Sequence, residues 1–262
     1  MRTGVSLLLV VLAAGFTGCG SSSSKPETPL TVSSFAVKSK LLGRSLHETL
    51  VTPRGGGGGR PLLVFLHGYG ATPSDTLSSP FVSALRRLGD RAPVVVLPEG
   101  DVGWWHDRKE GKWGSYVLDE VIPAALARSG ADEDRVAIGG ISMGGFGALD
   151  LGRLRKFCAV GGHSPAVFEP GSGDISFGFD NATDFRRHNL FGIARKRSPY
   201  DEPVWIDVGT QDDLRPAASL LARELRADGA DVTFHVWPGA HDGDYWNAHF
   251  ADYVKFYSEA CS

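Results

Sequence analysis

The chain has 262 residues, of which 42% are hydrophobic, and this is enough to bury the core of one larger α/β domain. Its formal net charge is −3, so it has no basic field that would hold nucleic acid. The composition therefore favours a single globular domain and excludes nucleic acid as a partner.

The N-terminus has the pattern of an export signal. Arg2 precedes an apolar run over residues 5–16 that is too short to cross a bilayer as a helix, and residues 1–18 are predicted to be removed. The run ends before Cys19, which resembles the lipid-attachment cysteine of bacterial lipoproteins; an ordinary secretory signal cleaved nearby is the alternative. Residues 19–32 are rich in Ser and Pro and predict a flexible tether to the membrane. Both alternatives export the protein.

The folded domain is predicted over residues 33–262, where strand and helix patterns alternate. Two early strands contain Phe35 and Leu46 and are predicted to be antiparallel. Apolar strands follow at 61–66, 93–97, 135–138, 157–161, 204–208 and 232–237, and helices at 74–88, 116–128, 214–227 and 245–258. Short strands that are apolar throughout and separated by helices predict an α/β fold with a mostly parallel central sheet and helices on both faces.

Residues 164–202 break this alternation. They join two predicted strands with little periodicity, several Gly and Pro residues and five phenylalanines, among them Phe177, Phe179 and Phe185. A connection this long in a compact domain is usually a functional cap or a disordered insert. The interpretation preferred here is a cap over the site described next.

A candidate nucleophile lies at the end of an apolar strand. The run from Val136 to Gly145 ends in Gly140-x-Ser142-x-Gly144, and small residues of helical character follow. This order is typical of a sharp turn from strand to helix with the serine at its apex, where glycines avoid a backbone clash. Ser142 is therefore predicted to be an exposed, activated hydroxyl.

An activated serine needs a histidine base and a carboxylate that orients it. After Ser142, His241 is the histidine that follows the end of a predicted strand, whereas the two other late histidines lie inside a strand or a helix. Asp212 and Asp213 follow the end of the preceding strand; Asp212 is preferred, and Asp213 remains the alternative. Because such loops meet at the carboxyl edge of a parallel sheet, these residues are expected to converge on Ser142.

The loop after strand 61–66 reads His67-Gly68-Tyr69-Gly70. Its Tyr69 N–H, together with the Met143 N–H beside the serine, is predicted to form an oxyanion hole. Gly68, Trp104 and Trp105 are candidates for a substrate pocket, although packing of the long loop accounts equally well for the two tryptophans. The run His241-Asp242-Gly243-Asp244 could suggest a metal site, but a second spaced cluster of ligands is lacking, so no metal is predicted.

Taken together, these motifs resemble the α/β-hydrolase fold. More narrowly, they resemble its putative-esterase branch, which contains esterase D-like enzymes, feruloyl esterases and mycolyltransferase relatives. The resemblance covers about residues 33–260 and implies hydrolysis of carboxylic esters without a cofactor, on small-molecule or polysaccharide-linked substrates. Two alternatives remain open: acyl transfer to a sugar or lipid hydroxyl, and a non-catalytic binding lipoprotein with this fold.

Cys158 and Cys261 remain as a possible pair once Cys19 is set aside. Both are expected at the sheet edge opposite the predicted site, so a disulfide is geometrically feasible in an oxidising compartment. Two buried thiols, or one thiol in a frayed tail, fit equally well, and the sequence is interpreted slightly against the bond. Oligomeric state is not predicted.

Overall fold

The computed structural model describes residues 27–195 and 198–262, so the predicted export signal and Cys19 lie outside the described residues. The main strands are β1 Leu30–Ser39, β2 Arg44–Pro53, β3 Pro61–Leu66, β4 Val94–Leu97, β7 Asp132–Ile141, β8 Ala159–His163, β9 Val204–Gly209 and β10 Val232–Trp237, and a small ribbon pairs β5 Asp107–Arg108 with β6 Gly111–Lys112. The helices are α1 Pro73–Thr76, α2 Ser79–Arg87, α3 Trp113–Ser115, α4 Ile122–Ser129, α5 Met143–Gly152, α6 Ala182–His188, α7 Leu190–Ala194, α8 Arg215–Ala227 and α9 Gly243–Ala260. Among these helices none is long and apolar enough to cross a membrane.

The eight main strands form one sheet in the order β1-β2-β4-β3-β7-β8-β9-β10. β1, β2 and β4 pair antiparallel, and every pair from β4 to β10 is parallel. The two early antiparallel strands and the mostly parallel sheet were both predicted, and both are confirmed. β1 begins at Leu30, so the start of the domain lies a little before the predicted boundary.

Helices cover both faces of the sheet because the central strands are apolar on both sides. In β3, Leu63 and Phe65 belong to the apolar cluster that includes Phe81 of α2 and Phe250 of α9. The alternate residues Leu62, Val64 and Leu66 belong to the cluster on the other face. Successive strand residues point to opposite faces, so a strand buried on both sides reads as a continuous apolar run. Because these strands run parallel, their carboxyl ends lie at the same edge of the sheet.

Two predicted helices differ in detail from those observed. The helix predicted at 74–88 is divided into α1 and α2, since the Ser78 side chain accepts the Phe81 N–H at 3.4 Å and caps a new helix there. Pro80 follows in the first turn, where its missing N–H costs no helical bond. The helix predicted at 116–128 begins earlier, at Trp113, and its residues Tyr116–Val121 form a π-helical turn.

The interpretation against a disulfide is wrong. Cys158 and Cys261 are bonded, with their Cα atoms 5.2 Å apart. Cys158 directly precedes β8 and Cys261 directly follows α9, so the bond ties the C-terminal helix to the sheet edge. Periodicity could not predict the bond, because it depends on the lateral position of a helix that packs across several strands.

Glu48 of β2 is a carboxylic acid in the core. Its oxygens accept hydrogen bonds from the Tyr116 hydroxyl and from the Glu99 N–H, the latter at 2.7 Å. Burial nevertheless raises the pKa of Glu48 to about 7, because desolvation outweighs these bonds.

We therefore expect Glu48 to make the folded state less stable as pH rises. The folded state holds its proton more tightly than the unfolded chain, so its contribution is complete below the unfolded pKa and is lost as pH rises towards and through about 7. Between pH 4.5 and 8, the free energy of unfolding of the wild type should fall by about 3 kcal/mol more than that of Glu48→Gln, as measured by urea titration. Glu133→Gln, at an exposed glutamate, is the control. An equal pH dependence in wild type and Glu48→Gln would contradict the expectation.

Candidate active site

Ser142 lies at the apex of the turn between β7 and α5. Its φ of +56° is in the left-handed region, a strained conformation for a residue with a side chain. The turn is tight: a Cβ on Gly140 would collide with the Gly144 carbonyl, and one on Gly144 would collide with the Leu66 carbonyl. Only glycine allows these approaches, and they hold the serine beside the end of β3.

Two neighbouring strands deliver the carboxylate and the imidazole. β9 and β10 are parallel partners, and their ends at Gly209 and Trp237 are in register. The loops beyond them are joined by a bond from the Gln211 N–H to the Gly239 carbonyl at 2.8 Å. Asp242 then caps α9 by accepting the Tyr245 N–H at 3.0 Å, which fixes the residue before it, His241.

The structure brings Ser142, His241 and Asp212 into one hydrogen-bonded chain. His241 Nε2 lies 2.9 Å from Ser142 Oγ, and His241 Nδ1 lies 2.8 Å from Asp212 Oδ2. With the ring proton on Nδ1, His241 donates to Asp212 and accepts from the Ser142 hydroxyl. Asp213, the alternative carboxylate, is exposed.

Asp212 is held ionised by its partners. Burial acts to raise the pKa of Asp212, but hydrogen bonds from His241 and from the Leu214 N–H outweigh it and lower the pKa below its ordinary value. The Leu214 N–H donates to Oδ1 at 2.8 Å while His241 donates to Oδ2, so one carboxylate both orders the start of α8 and orients the imidazole.

The loop after β3 borders the serine from the other side. A Cβ on Gly68 would lie 3.5 Å from the Ser142 Cβ. His67 holds this loop: its Nδ1–H donates to the Gly68 carbonyl at 2.8 Å, and its Nε2 accepts the Gly100 N–H at 3.1 Å. Burial lowers the pKa of His67, which keeps the ring neutral for both roles.

Two backbone N–H groups beside Ser142 are available to a ligand. Met143 is the first residue of α5, so its N–H has no carbonyl partner within the helix. The Tyr69 N–H makes no hydrogen bond to another residue within ranges 27–195 and 198–262. Both residues were predicted as oxyanion donors.

A cavity of about 480 Å³ opens beside Ser142 and His241. Its apolar wall contains Tyr69, Ile141, Trp246 and Phe250. Its polar wall contains Asp75, Thr76, Ser78 and Asn247. The sequence analysis did not predict the α9 residues as pocket residues. Their position could have indicated it, because Trp246 and Asn247 lie in the first turns of the helix that begins just after His241.

Of the predicted pocket residues, Gly68 lines this cavity and Trp104 and Trp105 do not. Trp105 is fully buried, and its Nε1–H donates to the His67 carbonyl at 3.1 Å. Trp104 packs against Phe146 and Phe177, with ring centroids 5.8 and 5.2 Å away. The tryptophans are therefore packing residues behind the site, which corrects the pocket assignment.

The segment 164–202 also lies beside the cavity instead of over it. It contains α6 and α7, and none of its described residues lines the cavity. Phe179 is buried against Phe146, with ring centroids 5.7 Å apart. The segment touches the nucleophile turn through its backbone, where the Ala166 N–H donates to the Ser142 carbonyl at 3.0 Å. The structure thus shows a packing element where a cap was predicted.

A buried hydrogen-bond network lies beneath the site and was not predicted. The carboxylate of Asp207 in β9 accepts four hydrogen bonds, which come from His163 Nδ1, Trp205 Nε1 and the hydroxyls of Tyr245 and Tyr253 at 2.6 to 2.8 Å. Asp207 and His163 are fully buried. The His163 carbonyl also accepts the Ser142 N–H at 2.9 Å. The network joins β8 and β9 to α9, the three elements that flank the nucleophile and His241.

Replacing Asp207 with alanine should destabilise the protein strongly, because four buried donors would lose their shared acceptor. We expect a loss of about 3–5 kcal/mol in the free energy of unfolding, measured by urea titration. Asp231→Ala, at an exposed aspartate before β10, should stay within about 0.5 kcal/mol of wild type. A loss of under about 1 kcal/mol for Asp207→Ala would show that the network does not hold the site.

Comparison with known proteins agrees with this architecture. A model of the family described as "Putative esterase" matches residues 39–257. An acetyl esterase of Caldicellulosiruptor saccharolyticus is 27% identical over 223 residues, which cover 75% of this chain and 83% of the relative. Among solved structures, a ferulic acid esterase superposes with a TM-score of 0.75 at 21% identity, covering 89% of this chain and 99% of that one. FphF, a fluorophosphonate-binding serine hydrolase of Staphylococcus aureus, superposes with a TM-score of 0.76 at 20% identity, covering 88% and 99%.

The sheet order, the serine turn and these structural likenesses define an α/β-hydrolase fold. The chain belongs to the putative-esterase family, whose model spans most of its length. It is accordingly an esterase, a hydrolase of carboxylic esters, as the sequence predicted.

Proposed function

We propose that the protein is an exported ester hydrolase in which Ser142, His241 and Asp212 act as a catalytic triad through an acyl-enzyme. The observation that carries this proposal is the continuous chain from Ser142 Oγ to His241 Nε2 at 2.9 Å and from His241 Nδ1 to Asp212 Oδ2 at 2.8 Å. Both distances are within the range needed for proton transfer and for orienting the base.

In the first half of the reaction, His241 Nε2 removes the hydroxyl proton while Ser142 Oγ attacks the carbonyl carbon. The ionised Asp212 stabilises the imidazolium that forms. The tetrahedral intermediate then loses the alcohol, which takes its proton from His241 Nε2, and an ester to Ser142 remains. In the second half, His241 deprotonates a water that attacks this ester, and the acid leaves with Ser142 reprotonated.

The negative oxygen of each tetrahedral intermediate would accept hydrogen bonds from the Met143 and Tyr69 N–H groups. Support comes from the position of Met143 at the N-terminus of α5, where unpaired N–H groups and the helix dipole favour negative charge. Donors fixed before the reaction cost no reorganisation when the charge develops.

The cavity supports small, uncharged esters as substrates. Its volume of about 480 Å³ accommodates a compact acyl or aryl group beside Ser142. The carboxylate of Asp75 lies at its polar wall. Hydrogen bonds from Thr72 lower the pKa of Asp75, so this carboxylate stays ionised and would repel an anionic substrate. The names of the relatives suggest acetyl and feruloyl esters, and a panel of acetyl, butyryl, octanoyl and feruloyl esters would rank them.

Hydrolysis is favoured over acyl transfer because solvent reaches the base. The His241 side chain is 34% exposed, so water can approach the acyl-enzyme from the side of the imidazole. Transfer would require water to be kept away. Product analysis with an added alcohol should therefore give mainly the free acid; a dominant transferred ester would favour the acyltransferase alternative.

Inhibition by a fluorophosphonate tests the proposed function directly. Labelling should reach one probe per chain, and loss of p-nitrophenyl acetate hydrolysis should follow labelling in proportion. Peptide mapping should place the probe on Ser142. Full activity in fully labelled protein would contradict the proposal.

Export and lipid attachment at Cys19 form the remaining part of the proposal. The bond between Cys158 and Cys261 supports it, because disulfides persist mainly in oxidising compartments. The full chain expressed in a bacterium with labelled palmitate should be recovered in the membrane fraction and carry the label. Cys19→Ala should lose the label while the wild type keeps it; label in neither protein would contradict lipid attachment.

A further inference from the structure

A cluster of two histidines and an aspartate lies away from the esterase site. His106 is in the loop before β5, whereas Asp184 and His188 are one turn apart on α6. His106 Nδ1, Asp184 Oδ1 and His188 Nε2 all lie within 4.8 Å of one another. Asp184 Oδ1 is 3.9 Å from the first nitrogen and 3.6 Å from the second. Ligand atoms of a tetrahedral zinc site are about 3.4 Å apart, so small side-chain shifts would close the cluster on one ion.

The outer nitrogen of each ring is already held. His106 Nε2–H donates to the Gly178 carbonyl at 2.8 Å, and His188 Nδ1–H donates to Asp150 Oδ2 at 2.7 Å. Asp150 is itself fixed by Arg153 at 2.7 and 2.9 Å. These bonds put the ring protons on the outside and leave lone pairs on the two inner nitrogens. Metal-binding histidines are held by outer partners of this kind.

One inner nitrogen lacks a partner among the residues that the structure describes. His106 is 1% exposed, and its Nδ1 makes no hydrogen bond to any residue in the described part of the chain. Asp150 accepts from one ring nitrogen of His188 and Asp184 lies 3.6 Å from the other, whereas His106 Nδ1 is left without a hydrogen-bond partner within the described ranges. A buried acceptor without a partner is costly and rare, so it points to a ligand that completes the cluster.

We propose that His106, Asp184 and His188 bind a divalent transition-metal ion of the Zn²⁺ type. Two imidazole nitrogens and one carboxylate oxygen are ligands suited to zinc, and a water would complete four-coordination. The ion would join the loop before β5 to α6 and so fix the segment 164–202 against the body of the domain. None of the three ligands lines the cavity beside Ser142, so the proposed role is structural and independent of the proposed catalytic function.

Metal binding by the full chain tests this site. Protein stripped with a chelator should bind one Zn²⁺ per chain in a calorimetric titration. Free Zn²⁺ at about 100 times Kd should raise Tm by about 5–10 °C. Asp184→Asn and His188→Gln should each weaken binding at least about 100-fold, and Asp150→Asn about 10–100-fold. Asp174→Asn and His47→Gln change exposed residues and should bind as the wild type does.

Co²⁺ provides a readout that needs no variant. The wild type loaded with Co²⁺ should show the visible absorption of a four-coordinate nitrogen and oxygen site, and added Zn²⁺ should remove it. Absence of saturable binding in the wild type would overturn the proposal. Equal binding by Asp184→Asn and His188→Gln, both folded by circular dichroism, would also overturn it, because the ion would then lie elsewhere.

Discussion

Ser142→Ala should lower kcat for p-nitrophenyl acetate by about 10⁶-fold, because the proposed nucleophile is removed. His241 and Asp212 would keep their mutual hydrogen bond. Without the Ser142 hydroxyl, however, water would be the remaining nucleophile that His241 could activate. Alanine retains the Cβ that the φ of +56° already accommodates, so the variant should fold with the stability of the wild type to within about 1 kcal/mol. Steady-state rates and urea titrations of the same preparations provide the two measurements.

Ser172→Ala is a matched control, since Ser172 is exposed in the segment 164–202 and its side chain bonds the nearby Glu169 carbonyl. Its rate should equal that of the wild type. A Ser142→Ala variant that keeps more than a hundredth of the activity, in protein free of contaminating esterase, would exclude Ser142 as the nucleophile.

Asp212→Asn should lower kcat by about 10⁴-fold with little change in the fold. Asparagine has nearly the shape of aspartate and can still accept the Leu214 N–H, so α8 should begin as before. Its amide, however, can donate to His241 Nδ1, which places the ring proton on Nε2 and removes the base from Ser142. The negative charge that stabilises the imidazolium is lost as well. The effect should appear in kcat more than in KM, because Asp212 does not line the cavity.

Asp213→Asn separates the two candidate carboxylates. Asp213 is exposed and neighbours Asp212 in the same loop, so its substitution should leave kcat within a factor of about two. A large loss in Asp213→Asn with a small loss in Asp212→Asn would show that the carboxylate has been assigned wrongly.

The order of elements could be predicted because burial on both faces of a parallel sheet leaves a strong pattern in the sequence. β10 was predicted with the bounds it has, and the strand before Ser142 was recognised by its apolar run. The convergence of Ser142, Asp212 and His241 could be predicted for a similar reason, since parallel strands end at the same edge of a sheet. A residue that directly follows the end of a predicted parallel strand can therefore be assigned to that edge from the sequence alone.

Features that depend on lateral packing could not be predicted in this way. Trp104 and Trp105 follow a strand end, as pocket residues do, yet a glycine at position 147 leaves the space in which the Trp105 ring is buried. Part of the cavity wall comes from α1 and α9, whose positions depend on how whole helices pack on the sheet. The predicted strand 204–208 contains Asp207, but three of the four donors to its carboxylate come from β8 and α9, elements distant in sequence.

The central claim is that Ser142 carries the acyl group during turnover. The most direct measurement is rapid acid quenching of the wild type during turnover of p-nitrophenyl acetate, followed by mass spectrometry of the peptides. The account predicts the added mass of one acetyl group on the peptide that contains Ser142, formed within the first turnover and absent from the Ser142→Ala variant. An acetyl group found on another residue at the rate of turnover, with Ser142 unmodified, would contradict the account.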